Sequence, residues 1–187
     1  MKGFCMNGIK VMSLDSSTTC IGYSIWEEDN LICYGKLKPN LHCEDWTERI
    51  QNLSFQVQNL ITEYNVKKII QEDVPLIGRQ NMVLVQLGAV KGMILTVAYI
   101  NKIEVDFISV GTWRKNIGIS CGGKERDEMK VKSIQKVNEL FNINLSLVFT
   151  KNGNYNPNKS DDDISDSILI YCSTRDKYKV KKGFGRR

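Results

Sequence analysis

The chain lacks the sequence features of several broad protein classes. Its six cysteines include no C-x-x-C pair, so their spacing suggests neither a zinc site nor a disulfide framework. No apolar run approaches the roughly 18 residues of a membrane span, and the first residues do not follow the pattern of a signal peptide. The single histidine, His42, lies in a polar turn, and there are no internal repeats. We therefore expect a cytoplasmic protein with reduced thiols and no membrane association.

The composition is sufficient for one hydrophobic core. With 187 residues, of which 42% are hydrophobic, a single domain is the default. The net charge of +5 is a mild bias toward polyanionic partners. We expect a flexible leader at residues 1–8, one domain at residues 9–176 and a basic tail at residues 177–187.

The segment KVMSLDSSTTCIGYSIW at residues 10–26 predicts a strand, a tight polar turn and a second strand. Asp15 stands where the first strand ends, and four hydroxyl residues follow it. Two interpretations of Asp15 are open: it caps the turn of an ordinary hairpin, or it belongs to a chemical site. The acidic residues downstream favour a site.

The rest of the chain alternates between strand-like and helix-like patterns. Strands are predicted at residues 10–14, 22–27, 31–37, 66–71 and 103–109, the first three as an antiparallel meander. Helices are predicted at residues 43–64, 81–99 and 124–141 and from about residue 160, with an irregular segment at residues 111–123. In the second helix Gly88 and Gly92 share one face, which predicts close approach by the sheet or by a second subunit.

A cluster of carboxylates opens the last helix. Capping explains Asp161, and it is one explanation for Asp162. Capping does not explain Asp166, which follows Asp163 by one helical turn on the same face. Like charges at this spacing repel each other, so a cation between them would compensate the repulsion.

Two further acids stand near strand ends. Asp15 follows the first apolar strand, and Glu72 follows the apolar pair of the fourth. Carboxylates on a packed helix together with carboxylates at strand ends make a hard-oxygen site, which suits Mg²⁺ or Mn²⁺ and not zinc. Two such ions about 3.5–4 Å apart are a common device for hydrolysing phosphodiesters.

The order of these motifs resembles the RuvC family of Holliday-junction resolvases. The resemblance rests on Asp15, the Gly22-Tyr23 pair seven and eight residues later, Glu72, and the D-x-x-D that opens the last helix. The segment QEDVPLIGRQNMVLVQLGAVKGM is similar to the family's catalytic Glu with its loop and L-G-x-x-x-G helix. The segment SVGTWRK at residues 109–115 is similar to the segment of phage-type members that leads into basic DNA-contacting residues. The resemblance covers roughly residues 9–175.

The resemblance implies a fold, an activity and a set of functional residues. The implied fold is ribonuclease-H-like, an α/β fold whose mixed five-stranded sheet has three antiparallel strands and then two parallel ones, with helices on both faces. The implied metal ligands are Asp15, Glu72, Asp163 and Asp166, with Asp162 as an alternative to Asp163. The implied DNA contacts are Arg114, Lys115, Lys124, Lys130 and Lys132.

The implied function is metal-dependent resolution of four-way DNA junctions at symmetric sites. Mg²⁺, or Mn²⁺ in its place, would activate a water for in-line attack and leave a 5′-phosphate. The two-fold symmetry of a junction implies a homodimer, and the helix with Gly88 and Gly92 is the candidate interface. The basic tail favours a phage-encoded or prophage-type enzyme acting in the cytoplasm of a bacterial host.

The chain departs from the pattern of the RuvC family at two places, and two alternative functions remain. Ser16-Ser17 stands where the family often has Pro-Gly, and residues 74–76 stand where many cellular members have an aromatic wedge. One alternative is a ribonuclease-H-like module that binds nucleic acid without cutting it. The other is an actin/sugar-kinase-type phosphotransferase, because LDSSTTCIGYS also resembles the phosphate loop of those enzymes, although they need two such domains.

Overall fold

The structure, a computed structural model, describes residues 8–74, 81–119 and 126–180. Its strands are β1 Lys10–Ser16, β2 Ile21–Glu27, β3 Asn30–Leu37, β4 Lys68–Glu72 and β5 Glu104–Ile108. Its helices are α1 Trp46–Tyr64, α2 Asn81–Ile100, α3 Val110–Ile117, α4 Arg126–Phe141 and α5 Asp162–Thr174, followed by a short 3-10 helix at Asp176–Tyr178. Residues 1–7, most of the predicted leader, lie outside the described residues, as do residues 75–80, Lys124 and residues 181–187 of the tail.

The five strands form one mixed sheet in the order β3-β2-β1-β4-β5. β1, β2 and β3 pair antiparallel through short turns, whereas β4 and β5 run parallel to β1. The parallel pairings need crossover connections, and α1 and α2 provide them. The predicted order of three antiparallel and two parallel strands is confirmed.

Alternate residues of the central strands build a core on each face of the sheet. On one face, Met12 of β1 and Ile69 of β4 pack in a cluster with residues of α1 and α2. On the other face, Ile70 of β4 packs with Trp113 of α3, Ile168 of α5 and residues of α4. The predicted helices on both faces are therefore confirmed.

One predicted irregular segment is partly helical. Residues 110–117 form α3, which Ser109 caps and which ends at Gly118 with a φ of 77°. Trp113 and Ile117, one turn apart, are fully buried and hold this short helix against the core. The prediction of an irregular segment was wrong here because two glycines in so short a stretch hide its apolar spacing.

Helix α2 departs from two expectations. A Cβ on Gly88 or Gly92 would meet no described atom within 4 Å, so contact with the sheet does not explain these glycines. The sheet-facing side of α2 carries other residues, with Val90, Ile94 and Val97 buried. The statement that no segment approaches membrane-spanning length was also wrong: α2 has 20 residues with mean hydropathy 1.8. Only 22% of that apolar stretch is buried, so the residues that the structure describes leave one apolar face of α2 uncovered.

Candidate active site at the carboxyl edge of β1 and β4

The parallel pairing of β1 and β4 brings Asp15 and Glu72 to one edge of the sheet. Leu14 pairs with Gln71, so the next residue of each strand emerges at the same level. The first two turns of α5 lie over this edge and add Asp163 and Asp166 to the group. Burial raises the pKa of Asp15 well above its usual value, and the negative charges of Glu72, Asp166 and Asp163 raise it further. The structure therefore brings the four predicted carboxylates together.

Gly22 allows α5 to lie this close to the sheet. It pairs directly with Asp15 across β1 and β2. A Cβ on Gly22 would lie 2.0 Å from the backbone oxygen of Asp163 and 2.3 Å from its carbonyl carbon. Any side chain at this position would therefore push α5 away and carry Asp163 with it.

Three of the four carboxylates contact a protein donor or cation. Trp113 Nε1 donates a hydrogen bond of 2.7 Å to Glu72 Oε2. Arg114 lies 3.5 Å from Asp166, and Lys36 Nζ lies 3.6 Å from Asp163.

These contacts refine the expectations for α3. Trp113 is fully buried, so it anchors α3 in the core and is not placed to stack on a base. The side chain of Arg114 is only 14% exposed, and its charge is directed at Asp166. Lys115, by contrast, is exposed to solvent.

Asp162 lies outside the carboxylate group and binds other partners. Its side chain is 4% exposed; it accepts a 2.7 Å hydrogen bond from the Tyr155 hydroxyl and pairs with Lys130. The charge of Lys130 in turn lowers the pKa of Asp15, opposing the effect of burial. Lys130 is thus held beside the carboxylates by a buried partner. Lys132 is half-buried on the same helix, α4.

The expected capping role of Asp161 was wrong. Asp161 precedes α5, but its side chain makes no capping hydrogen bond. It accepts a 2.9 Å hydrogen bond from the backbone of Ser146 and lies 3.3 Å from Lys36 Nζ. The side chain instead links α5 to the preceding loop and to β3.

The donor set fits a hard divalent cation, although the ligands are not preassembled. Asp166 Oδ1 is buried and makes no well-formed hydrogen bond with the described residues, although the Ser133 hydroxyl lies close enough to lower the pKa of this carboxylate. The oxygen therefore has a lone pair that a cation could use. Burial also raises the pKa of Asp166, an effect that Arg114 opposes. Among residues 8–74, 81–119 and 126–180, no group of three Asp, Glu, His or Cys side chains is arranged as a metal site.

The sequence interpretation missed two lysines on the β3 side of the site. Lys36 pairs with Gly22, which pairs with Asp15, so the three residues form one row across the sheet. Lys38 follows the end of β3. Counting register along the predicted meander could have identified Lys36, because paired residues on neighbouring antiparallel strands point to the same face.

Comparisons with known proteins identify the fold. No protein-family model and no curated protein sequence matches the chain. Among solved structures, RuvC of T. thermophilus in complex with a Holliday junction substrate is 14% identical, with a TM-score of 0.62 over 87% of this chain and 90% of that chain. Another Thermus thermophilus RuvC structure is 15% identical, with a TM-score of 0.59 over the same shares. The yeast mitochondrial Holliday junction resolvase Ydc2 is 15% identical, with a TM-score of 0.50 over 86% of this chain and 75% of that chain. The chain therefore has a RuvC-like, ribonuclease-H-like fold, which confirms the predicted fold.

Proposed function

We propose that this protein is a divalent-metal-dependent endonuclease that cleaves four-way DNA junctions at symmetric sites. The observation that carries the proposal is the meeting of Asp15, Glu72, Asp163 and Asp166 at one sheet edge. Carboxylates gathered at one edge repel one another, as the raised pKa of Asp15 reflects, and a bound cation would compensate this repulsion. The shared fold with RuvC of T. thermophilus, described with a Holliday junction substrate, supports the choice of junction DNA.

The four carboxylates would hold Mg²⁺, with Mn²⁺ as a substitute. When bound, the metal would supply an activated water and neutralise charge on the leaving oxygen of the phosphodiester. The Trp113 hydrogen bond orients the Glu72 carboxylate. Lys130, fixed by Asp162, presents positive charge where a phosphate would approach the carboxylates.

The active assembly we propose is a two-fold homodimer that pairs through the outer face of α2. This face is apolar and exposed: Met82 is 60%, Val85 57% and Tyr99 84% exposed. Gly88 and Gly92 leave it shallow enough for the backbone of a second α2 to approach closely. A junction with near two-fold symmetry calls for two active sites related by the same symmetry.

Cleavage of an end-labelled four-way junction with and without Mg²⁺ tests the function. Asp15→Asn, Glu72→Gln and Asp166→Asn should each abolish cleavage and leave junction binding largely intact, because each removes a ligand and no phosphate contact. Asp73→Asn is the matched control: Asp73 neighbours Glu72 in sequence, but it pairs with Lys91. A duplex with the sequence of two arms controls for branch selectivity.

Two results would overturn this function. Cleavage that is unaffected by chelation of divalent ions would contradict the proposed metal dependence. Turnover near that of the wild type in any one of the three carboxylate variants would remove that residue from the ligand set. The Asp73→Asn control should cleave at the wild-type rate.

A non-catalytic junction-binding module is the second candidate. It is favoured by the pairing of Asp163 with Lys36 and of Asp166 with Arg114, which compensates part of the negative charge without a metal. Such a module would bind the junction and leave it intact with Mg²⁺ and with Mn²⁺. The same cleavage assay therefore separates the two candidates.

A further inference from the structure

A polar pocket of about 330 Å³ lies beside the carboxylates, on the β3 side. It is bounded by the β1–β2 turn with Thr19, by Lys36 and Lys38 around the end of β3, by Lys130 of α4, and by Asp163 of α5. The pocket shares Asp163 with the candidate active site, so the two are contiguous. None of the contacts in the proposed cleavage reaction uses Lys36, Lys38 or Thr19.

The charges in this pocket leave one lysine available. Lys36 pairs with Asp161 and Asp163, and Lys130 pairs with Asp162. Lys38 is exposed, and it forms no ion pair with any residue that the structure describes. Its backbone carbonyl accepts a 2.8 Å hydrogen bond from the Gln56 side chain, which ties the start of the Lys38 side chain to α1.

The β1–β2 turn adds a hydroxyl to the pocket wall. Ser17 Oγ closes the turn by accepting hydrogen bonds of 3.3 Å from Thr19 N and 3.1 Å from Cys20 N. This leaves Thr19 exposed at the tip of the turn, on the pocket side. The Thr19 hydroxyl lies 3.2 Å from Ser17 Oγ, whose own proton is donated to the backbone oxygen of Cys20. Rotation of the exposed Thr19 side chain would exchange this hydrogen bond for one to a phosphate oxygen beside Lys38.

The sheet register sets the distance from the carboxylates to this pocket. Asp15, Gly22 and Lys36 occupy one row on three neighbouring strands. At roughly 4.8 Å between strands, Asp15 and Lys36 are separated by about 10 Å. This is at most three nucleotide steps, because neighbouring phosphates of one strand advance roughly 3.4 Å along the helix axis and lie further apart than that in space.

We propose that the pocket binds a backbone phosphate of the cleaved DNA strand, up to three nucleotides from the scissile phosphate, with Lys38 as the main contact and Thr19 as a second donor. This inference rests on the proposed function and adds a contact on the flank opposite Arg114 and Lys115. A phosphodiester carries one negative charge, whereas a free phosphate carries nearly two. Because Asp162 and Asp163 also line the pocket, the singly charged diester is the better fit.

The first test measures junction affinity as a function of salt for Lys38→Met. Binding is followed by fluorescence anisotropy in Ca²⁺, with a denaturing gel to verify that the junction stays uncut. Loss of one phosphate contact should lower the slope of log K against log salt by about 0.9. Lys67→Met is the matched control, because Lys67 is also exposed but precedes β4 at the opposite end of the sheet. Its slope should equal that of the wild type.

The second test locates the phosphate. Single methylphosphonates, which remove the charge of one phosphate, are placed at successive positions on both sides of the cleavage site. Wild-type protein should lose affinity at one position within three nucleotides of that site, and Lys38→Met should show no further loss there. The two losses would then be non-additive, as expected for direct partners. Thr19→Val should give a smaller loss at the same position.

The outcomes separate this inference from the function on which it rests. If the wild type binds and cleaves the junction while Lys38→Met keeps the full salt slope and the wild-type methylphosphonate profile, the pocket is not a phosphate site and the proposed function stands. If the wild type binds but never cleaves, while Lys38→Met still loses one contact, the phosphate site is supported and the nuclease function is refuted. If the wild type binds no junction, both proposals fail.

Discussion

Replacing Gly22 by alanine should displace α5 while the rest of the fold keeps its structure. The added Cβ would lie 2.0 Å from Asp163 O and 2.3 Å from Asp163 C, where ordinary contacts begin at 3.4 Å. Both atoms are backbone, so no side-chain rotation can relieve the overlap. The first turn of α5 must therefore move away from β2 by more than an ångström, and Asp163 must move with it.

The size of the effect follows from that displacement. Forcing an extra carbon into a packed interface costs about 1–3 kcal/mol of folding free energy. A misplacement of about 1 Å in a catalytic constellation costs roughly 100-fold in rate. We therefore expect Gly22→Ala to remain folded with a lowered Tm, and to cleave the junction about 100-fold more slowly than the wild type.

Thermal melts followed by circular dichroism and single-turnover cleavage at saturating enzyme measure the two effects. Gly111→Ala is the control, since a Cβ there meets no described atom within 4 Å and Gly111 lies in the first turn of α3. It should cleave at the wild-type rate and melt at the same temperature or slightly higher. A Gly22→Ala protein with both wild-type stability and wild-type cleavage would refute the close approach of α5 as the determinant of the site.

Three further changes test other parts of the structure. Trp113→Phe keeps the buried ring but removes the donor to Glu72; loss of about 1.5–3 kcal/mol should slow single-turnover cleavage by roughly 10- to 100-fold, and an unchanged rate would show that this hydrogen bond does not orient the carboxylate. Gly88→Leu should give folded monomers by light scattering and circular dichroism, because a Cβ there meets no atom of the described residues within 4 Å; persistent dimers would place the interface elsewhere. Because burial raises the pKa of Asp15, its ionised form opposes folding, so Asp15→Asn should raise the Tm at neutral pH without divalent metal. That gain should vanish as the pH falls below the ordinary value of 3.8, where the carboxyl is protonated in both states; equal Tm values at neutral pH would contradict it.

The layered architecture follows from local sequence patterns. The short apolar run of β1 predicts a buried strand, and the 3.6-residue spacing in α1 and α4 predicts helices that pack on the sheet. Both signals depend on residues close together in the chain, so they can be recognised without knowing which element packs against which. The helix α3 escaped this reasoning because eight residues with two buried positions are too short to show a period.

The edge position of Asp15 and Glu72 was likewise accessible from the sequence. Each follows a short apolar run, and the resemblance to RuvC implied that both ligate one metal site together with the D-x-x-D at the start of the last helix. The structure supplies the reason: β1 and β4 are neighbouring parallel strands, and the carboxyl ends of such strands lie on one side of a sheet.

The partners of those acids were decided only by the tertiary structure. Successive residues of a helix point about 100° apart, so the rotation of α5 over Gly22 sends Asp163 toward the carboxylates and Asp162 toward Lys130. Trp113 reaches Glu72 from 41 residues away. Sequence patterns fix which face of an element is apolar, because burial acts on each element separately. The docking of one element on another fixes which polar side chains meet, because a contact depends on the shapes of both surfaces.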